Sequence, residues 1–358
     1  MKYTKNKNQP VQKIRFIFQI AFALLWIWIG IEYSQFIKYL ETNGVSGSFN
    51  RPPGVEGFLP ISALMSVIYF LRTGQIHNIH PAGFFIFLAI IGVSFLFGKS
   101  FCSWICPVGF ISELIGDFGE KITKKLFKRR IKFNKYADYP LRLIKYFLLA
   151  FFIYAIFSMT TISLAFFLDG SYNISADIKM WYFFLHISQF SLIVIGVIFL
   201  FSIFIRNFWC RYLCPYGALL GLVSLISPNK IKRNKISCID CGLCTKACPS
   251  FIKVDKLITV RSDECFSCMN CLDVCPVADT LEVKNIFGNK TVSKRFISSG
   301  IMLIFIAVTG IGMLTGHWRN KVTKEEYIKI YKNLDAIGHP TSPSEIHELN
   351  NSTGNKTR

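Results

Sequence analysis

The 358-residue sequence predicts an all-α polytopic membrane protein of about five transmembrane helices, with a small α+β cysteine-rich domain inserted before the last of them. Three observations carry that expectation. Hydrophobic residues make up 52% of the chain without its 24 glycines, whereas a soluble domain holds about 45–50% with glycine counted. The excess is gathered into five uncharged apolar stretches, and 30 of the 41 Lys and Arg fall in three of the segments around them.

Spanning about 30 Å of hydrocarbon takes roughly 17–25 apolar residues. The stretches that meet this are Phe16–Ile31 with its neighbours, Pro81–Gly98, Tyr146–Leu168, Ile187–Ile205 and Ile297–Thr315. Residues 1–35 then read as a cytosolic N-terminal segment and first span, and 36–80 as an outer loop. That loop contains GFLPISALMSVIYFL (57–71), short and carrying Pro60, which suits a re-entrant or interfacial helix. Residues 81–145 hold the second span and a basic cytosolic loop, and 146–230 hold spans three and four. The cysteine-rich domain occupies 231–290, the fifth span 291–316, and an outer tail 317–358.

The charge fits that order. Five Lys/Arg lie in 1–15, eleven in 99–145 and fourteen in 206–295, all on one side under the positive-inside rule. Membrane topology and contact with anionic lipid account for the basic run KITKKLFKRRIKFNK (121–135), so nucleic acid is not expected as a partner. The basic-then-apolar N-terminus has neither a small-x-small cleavage site nor a twin-arginine pair, and reads as a retained signal anchor in the cell (inner) membrane.

Eight of the twelve cysteines form CIDCGLCTKACP (238–249) and CFSCMNCLDVCP (265–276). Both follow C-x2-C-x2-C-x3-C-P, the run of bacterial-type 2[4Fe–4S] ferredoxin domains, whose last Cys ligates the other cluster. Cys238, Cys241, Cys244 and Cys275 are therefore the expected ligands of one [4Fe–4S] cluster, and Cys248, Cys265, Cys268 and Cys271 of the second. Gly242 and the two Cys-Pro pairs suit tight turns around them. Zinc knuckles also use C-x2-C spacing, but three evenly spaced cysteines followed by Cys-Pro fit zinc poorly. Disulfides do not suit the reducing side to which these cysteines are assigned.

Cys102 and Cys106 (FCSWICPVG) and Cys210 and Cys214 (WCRYLCPYG) close the second and fourth apolar stretches as an internal repeat. Repeats of this kind face each other across pseudo-symmetry axes in membrane proteins. The four thiols then suit one further site, for a cluster or for a soft metal such as Cu(I) or Zn. A redox-active dithiol in each repeat and simple packing are the other two readings.

Two membrane-edge C-x3-C-P motifs followed by a two-cluster ferredoxin resemble the polyferredoxin-type membrane proteins. Among these are NapH-like quinol dehydrogenase subunits and the membrane half of NosR-like proteins. The look is nearest to the electron transport members, which are similar in length and share stretches like RPPGVEGFLPISALMS (51–66) and GHWRNKVTKEEY (316–327). The resemblance implies electron passage between the quinone pool and a partner redox enzyme, with a quinol dehydrogenase-type role and quinone or quinol as substrate. It carries over onto the twelve cysteines alone. The outer flavin domain of NosR-like proteins is missing, so flavin is not implied. A related cytochrome-oxidase assembly group is associated with copper reduction, which supplies the alternatives: a metal (copper) or thiol reductase, or a redox sensor, using the C-x3-C-P cysteines.

Six histidines are few for a haem protein, and only His186 sits in a strongly apolar context. His80, His186 and Glu56 are the ionisable candidates for a quinone site, which needs polar donors in an apolar pocket. In the tail, VTKEEYIKIYKNLDAI (322–337) reads as a helix opened by Thr323 with Glu326 three residues on, followed by a polar, disordered end.

Overall fold

The computed structural model describes residues 4–6, 10–128 and 134–340 and is mostly helical. The centre of the basic run 121–135, and the expected disordered end beyond residue 340, lie outside the described residues.

Helix α1 (Gln12–Glu41) is followed by α2 (Pro60–Thr73), α3 (Pro81–Phe97), α4 (Phe101–Trp104) and α5 (Pro107–Phe127). Then come α6 (Lys135–Phe157), α7 (Thr161–Asp169), α8 (Ser171–Ile174), α9 (Ala176–Leu185), α10 (Gln189–Phe204) and α11 (Pro215–Leu225). Strand β1 (Asn229–Arg233), the short helices α12 (Leu243–Ala247) and α13 (Asn270–Asp273), and strands β2 (Leu281–Asn285) and β3 (Thr291–Val292) precede α14 (Lys294–Leu314) and α15 (Lys324–Lys332).

Among the described residues, α1, α6 and α14 are long and apolar enough to cross a membrane, and the bent pair α9–α10 makes up to a fourth. Their outward apolar side chains stay exposed, as at Ile17, Leu24 and Trp28 of α1 and Phe147 and Phe151 of α6. Such surfaces need lipid rather than water.

Two expected spans differ in detail. Tyr146–Leu168 is broken: α6 stops at Phe157, and the Thr160 hydroxyl accepts from the Ser163 amide at 3.2 Å to start α7. The run Ser158-Met159-Thr160-Thr161 supplies hydroxyls that compete with the helical ladder. Ile187–Ile205 is the 16-residue α10, which meets α9 at 83°. Helix α3 reaches 17 residues, at the lower limit for spanning.

The chain divides into two compact units. The first comprises Met1–Leu24, Ile90–Leu149 and Ile193–Phe305, and holds all twelve cysteines. Its sheet is antiparallel in the order β1-β2-β3, pairing Ile231 with Val283 and Val283 with Val292. The cysteine-rich region thus packs in one unit with helix ends, rather than folding apart from them.

The second unit comprises Leu25–Ala89, Ala150–Leu192 and Ile306–Arg358. Tyr33, Phe36, Ile37 and Leu40 of α1 bury Tyr327 and Ile330 of α15. Helix α15 is capped as its sequence suggests, Thr323 accepting from the Glu326 amide at 3.2 Å. Helix α2 is not isolated either: Met65 and Ile68 pack on Ile156, Leu164 and Leu168.

Candidate metal centres

The two ferredoxin-type motifs fold alike. Short helix α12 carries Cys244 and α13 carries Cys271, each entered through a left-handed residue, Gly242 (φ 69°) and Met269 (φ 59°). Asp240 and Ser267, two residues earlier in each copy, are also left-handed (φ 51° both). This paired kink curls each C-x2-C-x2-C backbone so that three thiols face inward. Only Gly242 was legible as such a position; Met269 and Ser267 give no residue-type signal.

Cys238, Cys241, Cys244 and Cys275 line one cavity. Cys248, Cys265, Cys268 and Cys271 line a second. All six pairs of the second quartet lie within electrostatic reach, and Cys271 also reaches Cys244 of the first. Among the described residues, no three Cys, His, Asp or Glu side chains close on one point as a single ion requires. Thiols spread around a cavity suit a polynuclear cluster. Burial pushes the Cys248, Cys265 and Cys268 thiols up to about 11, against partial relief from backbone N–H groups. Sulfurs so buried become thiolates when a metal takes them, so the donor set fits iron–sulfur ligation.

Cations stand by the second quartet: Lys230 near Cys265, Arg15 near Cys268 and Arg211 near Cys248. Sequence reading missed all three, because a charge at a membrane edge reads first as topology. The N-terminal segment was also missed. It straps the region down, with the Asn6 amide donating to the Pro276 carbonyl at 2.9 Å and the Ala278 amide to that of Thr4 at 2.9 Å.

The C-x3-C-P motifs have a mechanical explanation. Cys106 and Cys214 are the N-caps of α5 and α11, and the proline takes the first helical turn, where its missing N–H costs nothing. The Gly217 amide donates to Cys214 Sγ at 3.2 Å, and the Gly109 and Val108 amides partly offset the burial of the Cys106 thiol. The glycine three residues on is needed for close approach. A Cβ at 109 would stand 2.0 Å from the Cys102 carbonyl oxygen, and one at 217 would stand 3.2 Å from that of Cys210.

The two repeats converge. All six pairs among Cys102, Cys106, Cys210 and Cys214 lie within electrostatic reach. Burial raises the Cys106 thiol to about 11 and the Cys102 thiol to about 12, the latter against the pull of Lys99. A small cavity joins Cys102 and Cys210 to Cys268 and Pro249, with Arg15 and Glu113 in its wall. The residues between the paired cysteines dock onto the ferredoxin-type loops. Ser103 donates to the Phe266 carbonyl at 2.6 Å, Trp104 Nε1 to that of Ser267 at 3.4 Å and Arg211 to that of Ser250 at 2.8 Å.

Of the three quinone-site candidates, Glu56 and His80 come together, 3.6 Å apart, and His186 does not join them. Glu56 and His80 are buried in an ion network around Arg51, which donates to Glu56 and to Asp177 at 2.6 Å each. His80 Nε2 bonds the Asn173 carbonyl at 2.9 Å, and Glu56 accepts from the Gly83 amide at 2.8 Å. Burial opposes ionisation of Glu56, but Arg51 and then His80 hold its carboxyl below the usual range. His186 is exposed and stacks on Tyr182. Arg51 and Asp177 are functional-looking residues absent from the sequence-based set; the run RPPGVEG gave no charge partner for Arg51.

Spread cysteine quartets set in a helical chain with membrane-length apolar helices define an iron–sulfur electron transport protein of the polyferredoxin type. Comparison with known proteins agrees. A 4Fe-4S binding domain model matches residues 79–134 and 187–234, and a 4Fe-4S dicluster domain model matches 230–283. The chain is 44% identical over 329 residues to YccM of Escherichia coli, an electron transport protein by name, covering 90% of each. The ferredoxin-type protein NapH of Haemophilus influenzae is 28% identical over 200 residues, 53% of this chain and 62% of that one. Protein NirI of Paracoccus denitrificans is 28% identical over 240 residues, 63% of this chain and 33% of that one. No solved structure matches. The chain belongs to the YccM family of electron transport proteins.

Proposed function

We propose that this protein passes electrons between the membrane quinone pool and a partner redox protein through two [4Fe–4S] clusters. Cys238, Cys241, Cys244 and Cys275 hold one, and Cys248, Cys265, Cys268 and Cys271 the other. The observation carrying this reading is the pair of four-thiol cavities, adjacent through Cys244 and Cys271. When bound, such clusters supply one-electron oxidation and reduction. The chain's own work is to hold the thiolates, exclude water and set the local charge. Lys230, Arg15 and Arg211 stabilise negative charge at the second quartet, whereas Arg233 is the cation lining the cavity of the first among the described residues.

The proposed topology has five spans (α1, α3, α6, α9–α10 and α14), with the N-terminus and ferredoxin region cytosolic and the tail outside, in the inner membrane. Two facts support it. The boundary between the two compact units falls within or beside the same five helical segments. The first unit carries 30 Lys and Arg against 11 Asp and Glu, whereas the second carries 11 against 10, the bias expected of a cytosolic side facing anionic lipid. Glu56 and His80 hold the Arg51 network together, so they serve the fold of the second unit rather than a quinone pocket.

The test is anaerobic. A reduced quinol analogue is added to the purified protein and cluster absorbance is followed. Bleaching supports the quinone link; clusters that dithionite reduces and quinol does not would remove it. A second reading, a metal or thiol reductase working at Cys102, Cys106, Cys210 and Cys214, draws on the convergence of those thiols. It requires net consumption of a metal ion or disulfide by the reduced protein.

A further inference from the structure

We propose that quinol binds in the cavity enclosed by α13, strands β2 and β3 and the first turn of α14, beside both ferredoxin-type quartets. The inference rests on the quinone link proposed above and gives that link a site.

The cavity holds about 350 Å³, within the range of small-molecule sites, about 300–1,000 Å³. Leu272, Leu281, Val283 and Val292 supply its apolar wall, and Lys294 and Arg295 stand at its polar side. That combination suits a flat, neutral ring with oxygens on its rim. The apolar side chains cover the ring, and the two cations donate to its oxygens. Glu56 and His80, by contrast, belong to the compact unit that holds none of the cysteines.

The position relative to lipid points to quinol in particular. The cavity ends on α14, which is long and apolar enough to cross a membrane. Phe296 and Leu303 of that helix are 62% and 68% exposed. Seven residues apart, they share one helix face and give an isoprenoid tail an apolar track leading away from the headgroup.

The cavity also adjoins both quartets. Leu272 follows Cys271 in the chain, and Leu281 lines the cavity of the first quartet as well as this one. Lys294 donates to Asp273, which accepts from the Gln12 amide at 3.0 Å; the same amide donates to the Cys268 carbonyl at 2.9 Å. The polar side is thus tied to the backbone of the second quartet.

Oxidation of one quinol to quinone breaks two O–H bonds and releases two electrons and two protons. The electrons leave one at a time for the adjacent iron–sulfur centres. The Glu282 carboxylate, in the cavity wall and held by Thr291 Oγ1 at 3.2 Å and Lys284 at 3.1 Å, accepts one proton, and water takes the other.

The full-length protein, purified anaerobically in detergent, is photolabelled with an azido-quinone and digested, and cluster bleaching is titrated with a reduced quinol analogue. Label is expected within residues 281–295, and excess unlabelled quinone should prevent it. Val292→Trp, which suits a strand and fills the cavity, should suppress the label. It should also raise the half-saturating quinol concentration about tenfold or more, with the EPR signals of the dithionite-reduced protein unchanged. Where the Trp variant does not fold, Arg295→Gln at an exposed position gives the same readouts. Glu282→Gln should slow bleaching and keep the label; wild-type bleaching in that variant contradicts the role of Glu282. Label confined to peptides outside 281–295, or wild-type label and titration in the folded cavity variant, overturns the site and leaves the quinone link intact. Wild-type clusters that dithionite reduces and quinol does not would remove the quinone link and the site with it.

Discussion

The Ser103 hydroxyl donates a 2.6 Å hydrogen bond to the Phe266 carbonyl, tying the first membrane-edge cysteine motif to the loop between Cys265 and Cys268. Both groups are buried. Ser103→Ala leaves that carbonyl unpaired, at a cost of about 1–3 kcal/mol. Cluster absorbance should be lost at a lower temperature in Ser103→Ala than in wild type; an unchanged melting profile would show that the loop is held elsewhere.

Gly109 and Gly217 occupy equivalent places in the repeat but differ in clearance, 2.0 Å against 3.2 Å to the facing carbonyl oxygen. Gly109→Ala must displace backbone and is expected to destabilise by about 3 kcal/mol or more, at the upper end of overpacking costs. Gly217→Ala needs a movement of a few tenths of an ångström and should be the milder change. Thermal inactivation of the two variants side by side checks the order, and the reverse order would contradict the structure.

Arg51, Glu56 and Asp177 form a buried network. Removing one partner strands the others, at about 3–5 kcal/mol. Arg51→Met should therefore lower the yield of folded protein, and Glu56→Gln should do so without raising the KM for a quinol analogue. A raised KM with unchanged stability would return Glu56 to the quinone site.

Lys230, Arg15 and Arg211 surround one ferredoxin-type quartet. The cluster at Cys248, Cys265, Cys268 and Cys271 should therefore have a higher midpoint potential than its neighbour, because positive charge favours the reduced, more anionic state. Lys230→Gln should narrow the gap in a potentiometric titration. A gap that widens would reverse the electrostatic argument.

The two ferredoxin-type cysteine motifs were legible because their spacing is a local constraint written in one residue type. Helix α15 was legible because Thr323 and Glu326 form a local cap. What escaped depends on distant partners. The break at Ser158–Thr160 hides inside a uniformly apolar stretch, since hydropathy does not register a capping hydroxyl. Lys99 looked like a boundary charge, and only folding places it beside Cys102 and Cys210. Asp177 lies 126 residues from Arg51, and no periodicity connects them. The left-handed turns at Ser267 and Met269 are imposed by thiol convergence rather than by residue preference.

The most direct test of the central claim is EPR of the anaerobically purified, dithionite-reduced protein, alongside its Cys275→Ser variant. Wild type should give interacting [4Fe–4S] signals. The variant should lose the cluster shared with Cys238, Cys241 and Cys244, although Cys275 belongs to the other motif, and should keep the higher-potential one. Loss of the higher-potential cluster instead, or zinc in place of iron with no EPR signal, would contradict the account.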